Sequence, residues 1–584
     1  MITRFCAIAL ALNLCHGTNA LSLAPIEQLD ASRYIVRRQN PSLQSGSLPV
    51  RRNILEFQND RVSWPLFIQG LKRLQDKEES DPYSYFQLAG IHGRPYVGWN
   101  GDSKILGTND LGYCVHNTVL FLPWHRPYMS IIEQSLITEA QEVAKLYPDN
   151  TIYLEAAARL RFPYWDWAAS PALPDIVNQP QIQIESWNGT QLVDNPLYEY
   201  KFQSPLDRNL FPSNSSDGWF AFYRHTVRGV NTRNPEEVSH PDVVNTSLQR
   251  GNLRANTWRA LARSTTFNIF SSTSTPGSSI EAVHNSVHSA IGARYGHMSY
   301  LSYAAYDPLF WLHHANIDRL FALWQVLHPE SFVQPEEDVF GNFITLPHTI
   351  VDVNTSLRPF REEKSGEWWT SNSARYIDTF SYTYPELQGN RTSDQLKANV
   401  TAAINRLYQP TNSARKRFIR SSPGSTAAFL PTREWSLSVS VSKFDAGGAN
   451  FRILVFLGQV PADPEDWELC EAFIGSISIF PPPYVPITAF DPFPEVITHS
   501  EVDLDEGLER YGMNVEDSSS VVEFLKEELQ WRIQKMDGEV IPPENIPSLL
   551  MEVEEETVSW PTDVTELPSY GAKTSHPDAI GRMM

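Results

Sequence analysis

The chain has 584 residues, a formal net charge of -21 and a pI near 5.2. It is long enough for more than one domain, and with 41% hydrophobic and 12% aromatic residues it can build a large core. A surface this acidic argues against nucleic acid and anionic membranes as partners.

The chain opens like a secretory signal. Arg4 supplies the positive charge, Phe5 to Leu14 is apolar but too short to span a bilayer, and small residues lead to a cleavage point after Ala20. No other stretch is long and apolar enough to cross a membrane, so the chain reads as secreted. Residues 21–47 are polar and irregular, an N-terminal arm. From Ile54 onward Trp64, Phe67, Ile68, Leu71 and Leu74 recur at helical spacing. A second helix is predicted from Pro127 through Ile137, with its proline in the first turn. Residues 170–250 are rich in Pro, Asn and Ser and read as loops. Further helices are predicted over Ser279–Ile291 and Pro308–Leu327. Near residue 390 the character changes. Residues 391–433 read as a linker carrying the basic run Arg415-Lys416-Arg417, a candidate processing site. Alternating strands follow over Trp435–Ser442 and Phe451–Gly458. The expected organisation is a mainly α domain over 48–390, a smaller β-rich domain over 434–560 and a tail over 561–584.

Six N-x-S/T triplets, at Asn188, Asn214, Asn245, Asn354, Asn390 and Asn399, fit an exported glycoprotein. Of four cysteines, Cys6 and Cys15 fall in the signal, so Cys114 and Cys470 remain and no disulfide framework is expected.

The 15 histidines are unevenly placed. His284 and His288 in EAVHNSVHSAI stand at i and i+4, one turn apart on one helix face. The segment PLFWLHH opens a later helix, and one imidazole from it would complete a three-histidine site. Asn285 stands where a zinc protease would carry its glutamate, so this is not an H-E-x-x-H site. His92 in IHGRPYVGW, His116 in GYCVHN and His125 in PWHRPY form a second set of irregular spacing, which alone could be three structural histidines. All-imidazole ligation without a carboxylate suits copper, and two such sites face to face would suit two coppers.

The segments HGRPYVGWNG, GYCVHNTVLFLPWHRPYMSIIEQ, FPYWDWA, EAVHNSVHSAIG and YDPLFWLHHANIDRLFALWQ resemble, in order, those of type 3 (dinuclear) copper proteins, specifically fungal tyrosinases (polyphenol oxidases). The resemblance covers about 48–390 and, more weakly, 434–480. It implies a four-helix-bundle copper core with long loops, copper A on His92, His116 and His125, and copper B on His284, His288 and His314. His313 and His297 would be non-ligating neighbours. It implies a thioether between Cys114 and His116. It also implies a water-holding Glu281 assisted by Asn285, and a gate at Leu301 that leaves room for monophenols. Asp318, one turn after His314, could orient a ligating ring or pair with Arg126 or Arg319. SYTYPEL, with Tyr382 and Tyr384, resembles the motif that closes the catalytic domain, and the β-rich domain resembles the removable shield of latent enzymes. O2 and small phenols would be the partners, and the products o-quinones. The sequence assigns no oligomeric state. The rivals are a catechol oxidase, a specialised phenol or aminophenol oxidase, and a haemocyanin-like O2 carrier.

Overall fold

A computed structural model describes residues 35–36, 47–108, 112–363, 365–410, 432–482 and 493–580. The expected signal segment and the basic run at 415–417 lie outside these residues.

Helix α1 (Ser63–Asp76) buries Trp64, Phe67, Ile68, Leu71 and Leu74, the stripe that predicted it. It packs on α2 (Phe121–Ala144) so closely that a Cβ on Gly70 would come within 3.1 Å of Ala140 Cβ. Helix α2 begins six residues before Pro127, which therefore lies inside it and not in its first turn. Pro123 takes the early position instead. The missing Pro127 N–H leaves only the Pro123 carbonyl without its helical donor, a loss that burial of nearly the whole helix outweighs.

Helix α3 (Leu253–Arg263) is followed by α4 (Ile280–Gly292), capped by Ser279, whose hydroxyl accepts from the Ala282 N–H. Helix α5 (Leu309–Leu327) is buried almost all round. The region read as loops contains a hairpin, Gln181–Ser186 against Gly189–Asp194, and a helix over Pro241–Arg250. The segment expected to begin a linker instead forms α6 (Ser393–Tyr408), opened by a Thr392–Gln395 capping box. Its Val400, Ile404 and Tyr408 fall at i, i+4 and i+8 and join the helical core.

The β-rich domain has its own core, formed around Leu437, Ile453, Val455, Ile533 and Val553. One antiparallel sheet carries β1 (Thr432–Ser442) between β4 (Ile497–Asp503) and β6 (Leu550–Ser559). The other carries β2 (Phe451–Leu457) between β3 (Phe473–Ile479) and β5 (Leu529–Lys535). Helix α7 (Ser518–Glu528) turns Val521 and Leu525 onto this core. Residues 569–570 and 574–576, within the expected tail, pair with β6 and extend its sheet.

The two domains meet along α3. Arg259 reaches Asp503 at 2.8 Å and Asp505 at 3.3 Å, and Arg263 pairs with Glu556.

Asp318 on α5 ties distant parts of the helical domain together. Its carboxylate accepts from Arg126 Nε on α2 at 2.6 Å and from Arg51 Nη1 at 3.1 Å. It also accepts from the Tyr382 and Tyr384 hydroxyls at 2.5 and 2.6 Å. All five groups are buried. Arg126 and Arg51 hold the carboxyl of Asp318 below its usual range against the opposing effect of burial. Removing a buried carboxylate strands its cations. Asp318→Ala is therefore expected to destabilise the helical domain by about 3–5 kcal/mol, and Tyr382→Phe by about 1 kcal/mol, in chemical unfolding. A loss under about 1 kcal/mol for Asp318→Ala would contradict the role of this hub.

Candidate metal centre

The histidines converge from loops and three helices. His92 follows the short helix Tyr85–Gly90, and His116 lies in the loop before α2. His125 is on α2, His284 and His288 are on α4, and His313 and His314 are on α5. The chain after His92 must pass close to Ser302: a Cβ on Gly93 would sit 2.5 Å from the Ser302 carbonyl oxygen. Two groups result. In one, donor atoms of His92, Cys114, His116 and His125 all lie within 4.8 Å of one another. In the other the same holds for His284, His288, His313 and His314. The groups abut, with the His125 and His314 rings stacked at 4.5 Å and those of His116 and His284 5.6 Å apart.

Backbone carbonyls fix three of the rings. Nδ1 of His92 donates to Leu301 O (3.1 Å), that of His125 to Phe121 O (2.7 Å) and that of His288 to Met298 O (2.7 Å). The His284 Nδ1 donates to Asn285 Oδ1 at 2.9 Å. Each such bond places the proton on Nδ1 and turns the Nε2 lone pair inward. Burial keeps the rings neutral. It holds His125 down to about 3 and His288 to about 4, and it pushes His92, His116, His284, His313 and His314 well below the usual histidine range. The Nε2 atoms of His92 and His288 are buried without a hydrogen-bond partner, and those of His284 and His314 face each other at 3.3 Å. Buried acceptors aimed at one another are costly unless a cation lies among them. The donor set thus fits a pair of soft-to-intermediate metal ions, one for each group.

The other predicted residues surround this centre. Cys114 Sγ lies 3.3 Å from His116 Nδ1 and 4.0 Å from Nε2, against that ring. His313 lies within the second histidine group, with neither ring nitrogen hydrogen-bonded. His297 stands apart, accepting from the Val227 N–H. Asp318 does not hold His314; its oxygens are taken by Arg51, Arg126, Tyr382 and Tyr384, so the pairing with Arg126 is the one realised. Glu281, fully buried in the first turn of α4, accepts from the Asn117 and Thr273 N–H groups at 2.6 and 2.8 Å and from the Thr273 hydroxyl at 3.1 Å. Burial raises its carboxyl above the ordinary glutamate value. Asn285 turns its oxygen to His284, not to Glu281. Leu301 lines a cavity beside His92 and His116, together with Asp338 and with Lys443 from the β-rich domain. Sequence reasoning missed these last two. Asp338 sits in a short strand over Glu336–Asp338, and Lys443 follows the alternating strand β1; neither lies in a recognisable motif.

Residues 82–327 match the common central domain of tyrosinase, and residues 434–553 match the tyrosinase C-terminal domain. A tyrosinase of Podospora anserina is 31% identical over 503 residues, covering 74% of this chain and 87% of its own length. Polyphenol oxidase 2 of Agaricus bisporus is 32% identical, covering 75% and 80%. The chain belongs to the tyrosinase family. A solved structure of recombinant mushroom tyrosinase superposes with a TM-score of 0.79 at 28% identity, over 92% of this chain and 99% of that one. This family member is a tyrosinase-type copper oxidoreductase, and its two histidine groups form a dinuclear copper site. His288→Ala is expected to leave about one copper per chain in place of two, measured by elemental analysis after reconstitution. Retention of both would contradict the assignment of His288.

Proposed function

We propose that the chain is a latent, exported tyrosinase that uses O2 to hydroxylate monophenols at the ortho position and oxidise o-diphenols to o-quinones. The observation that carries this reading is the pair of abutting imidazole groups with inward lone pairs, beside a cavity that the C-terminal domain closes. His92, His116 and His125 hold one copper, and His284, His288 and His314 the other. The copper pair, when bound, activates O2 and receives the phenol oxygen. The protein fixes the donor directions and excludes water.

A phenol, with an ordinary pKa near 10, must lose its proton to bind a metal well. Glu281 is the buried base for that proton, and burial, by raising its carboxyl above the ordinary glutamate value, makes it the stronger base. Asn285 assists by fixing the His284 ring. Leu301 presents an aliphatic side chain at the cavity, which leaves room for a phenol ring. Cys114, set against the His116 ring, forms the thioether that locks that ring, its thiol and a ring C–H giving up two electrons and two protons to O2, and the reactive thiol is removed from the oxidising centre.

Latency follows from how the β-rich domain docks. It grips the two segments that hold Glu281. The Asn117 side chain donates to Ile497 O at 3.1 Å, and the His499 N–H donates to Thr273 O at 2.8 Å. Removing this domain opens the copper cavity. Export rests on the N-terminal signal pattern, and no helix among the described residues is long and apolar enough to cross a membrane. Of the six sequons, Asn245 is half-buried with its side-chain oxygen accepting from Leu173 N, so glycans belong on the other five, which are exposed.

Copper-loaded protein is expected to take up O2 with both a monophenol and a catechol, faster after limited proteolysis. Uptake with catechol alone, or no rise on cleavage, would contradict monophenol hydroxylation or latency respectively. Glu281→Gln is expected to lower monophenol kcat about 10²-fold while affecting catechol far less; equal losses would remove Glu281 from the proton-transfer role.

A further inference from the structure

The β-rich domain reaches the helical domain a second time, through the segment that follows β6. Strand β6 ends at Ser559, and Ser559 pairs with Ser569, so residues 560–568 form a loop closed at its base. The apolar side chains of this loop turn to the other domain: Trp560 and Leu567 pack against the helical core. The Trp560 ring stacks on Trp258 of α3, with centroids 6.2 Å apart and planes 13° from parallel. Asn405 of α6 donates from its side-chain amide to Val564 O at 2.7 Å and to Glu566 O at 3.1 Å. The indole Nε1 of Trp560 donates to Thr432 Oγ1 at 2.9 Å. The loop lies beyond residues 434–553, the stretch that matches the family's C-terminal domain.

The places of these contacts along the chain decide what they do. Asn405 comes before the connection at 411–431, and Thr432 comes directly after it. The loop therefore binds the chain on both sides of that connection, and a cut between the two frees neither. In the uncut chain the domains belong to one molecule, and weak contacts suffice to keep them docked. After a cut only non-covalent contacts remain. A loop closed at its base has already lost much of its freedom, so docking it costs little further entropy. A stacked aromatic pair also contributes beyond the area it buries.

We propose that residues 560–568 are a strap that keeps the β-rich domain on the helical domain after the 411–431 connection is cut. Cutting is then necessary and not sufficient, and release of the strap sets when the copper cavity is unmasked. This inference rests on the latency reading of the β-rich domain and adds the step that controls it.

The test uses the copper-loaded full chain with a site-specific protease sequence placed at 415–417. Each domain has a hydrophobic core of its own, so both fragments can stay folded. After a single cut the protein is diluted to nanomolar concentration. Separation of the fragments is followed by size-exclusion chromatography, and O2 uptake with catechol is measured on the same samples. The cut wild type is expected to persist as one particle, with O2 uptake rising only as the fragments separate. Trp560→Ala and Asn405→Ala should each speed separation roughly tenfold. Trp560→Phe, which keeps an aromatic face on Trp258, should stay within about threefold of wild type. Both alanine variants, left uncut, should remain folded and latent, which separates loss of retention from loss of folding. Immediate separation of the cut wild type, or equal rates for wild type and Trp560→Ala, would overturn the proposal. Separation at the expected rates with no change in O2 uptake would leave the strap standing and remove the latency reading.

Discussion

Seven neutral imidazoles packed against one another form the constraint on which the rest of this molecule depends. The inward Nε2 atoms of His92 and His288 are buried, and no protein donor reaches them. Left so, they would disfavour folding of the core. Metal ions convert that cost into binding energy, and the protein prepares for them by fixing the outer nitrogen of each ring. The carbonyls of Leu301, Phe121 and Met298 do this for three histidines, and each lies on a segment with its own packing reason to be there. The Leu301 segment carries both a carbonyl that orients His92 and a side chain that lines the adjoining cavity, so the orientation of that ring and the shape of the cavity are set by one stretch of chain.

The scaffold that holds these rings is polar as well as greasy. Asp318 stands one turn beyond His314 and gathers Arg51, Arg126, Tyr382 and Tyr384, which joins the start, middle and end of the helical domain beneath the copper centre. A buried carboxylate with two guanidinium partners specifies one arrangement of these segments, because any slip leaves a charge unpaired. On the opposite side, the β-rich domain docks through Arg259 and Arg263 to a row of carboxylates and sends Lys443 into the cavity. Asn117 and Thr273 each touch Glu281 on one side and the β-rich domain on the other, so docking and the placement of Glu281 share the same supports.

Much of this was legible in the sequence, for identifiable reasons. The i, i+4 pair His284 and His288 needs only helical periodicity to be placed on one face, and the apolar stripe of α1 predicts its buried side. The irregular set His92, His116 and His125 carries no periodic signal; only resemblance brought it together. What failed were features decided by tertiary contact. Pro127 looked like a helix start because local rules place proline there, yet α2 extends past it since burial outweighs one lost hydrogen bond. Helix α6 hid in a polar stretch because its buried face mixes Val400, Ile404 and Tyr408 with the polar Thr401 and Asn405. Strand 574–576 is exposed and polar, so its pairing with β6 leaves no hydrophobic trace. Asp318 offered two roles from its spacing, and the hydroxyls of Tyr382 and Tyr384, distant in sequence, helped select the one realised. Lys443 and Asp338 belong to different domains, and nothing in the sequence of either announces that they line one cavity.

The most direct test of the dinuclear copper site is X-ray absorption on the copper-reconstituted chain, combined with elemental analysis. The account predicts two coppers per chain, each surrounded by imidazole nitrogens alone, with a neighbouring copper visible in the outer scattering and, under the proposed Cys114–His116 thioether, no sulfur in the first shell. One copper per chain, two coppers without a mutual scattering signal, or a copper–sulfur distance from Cys114 would contradict it.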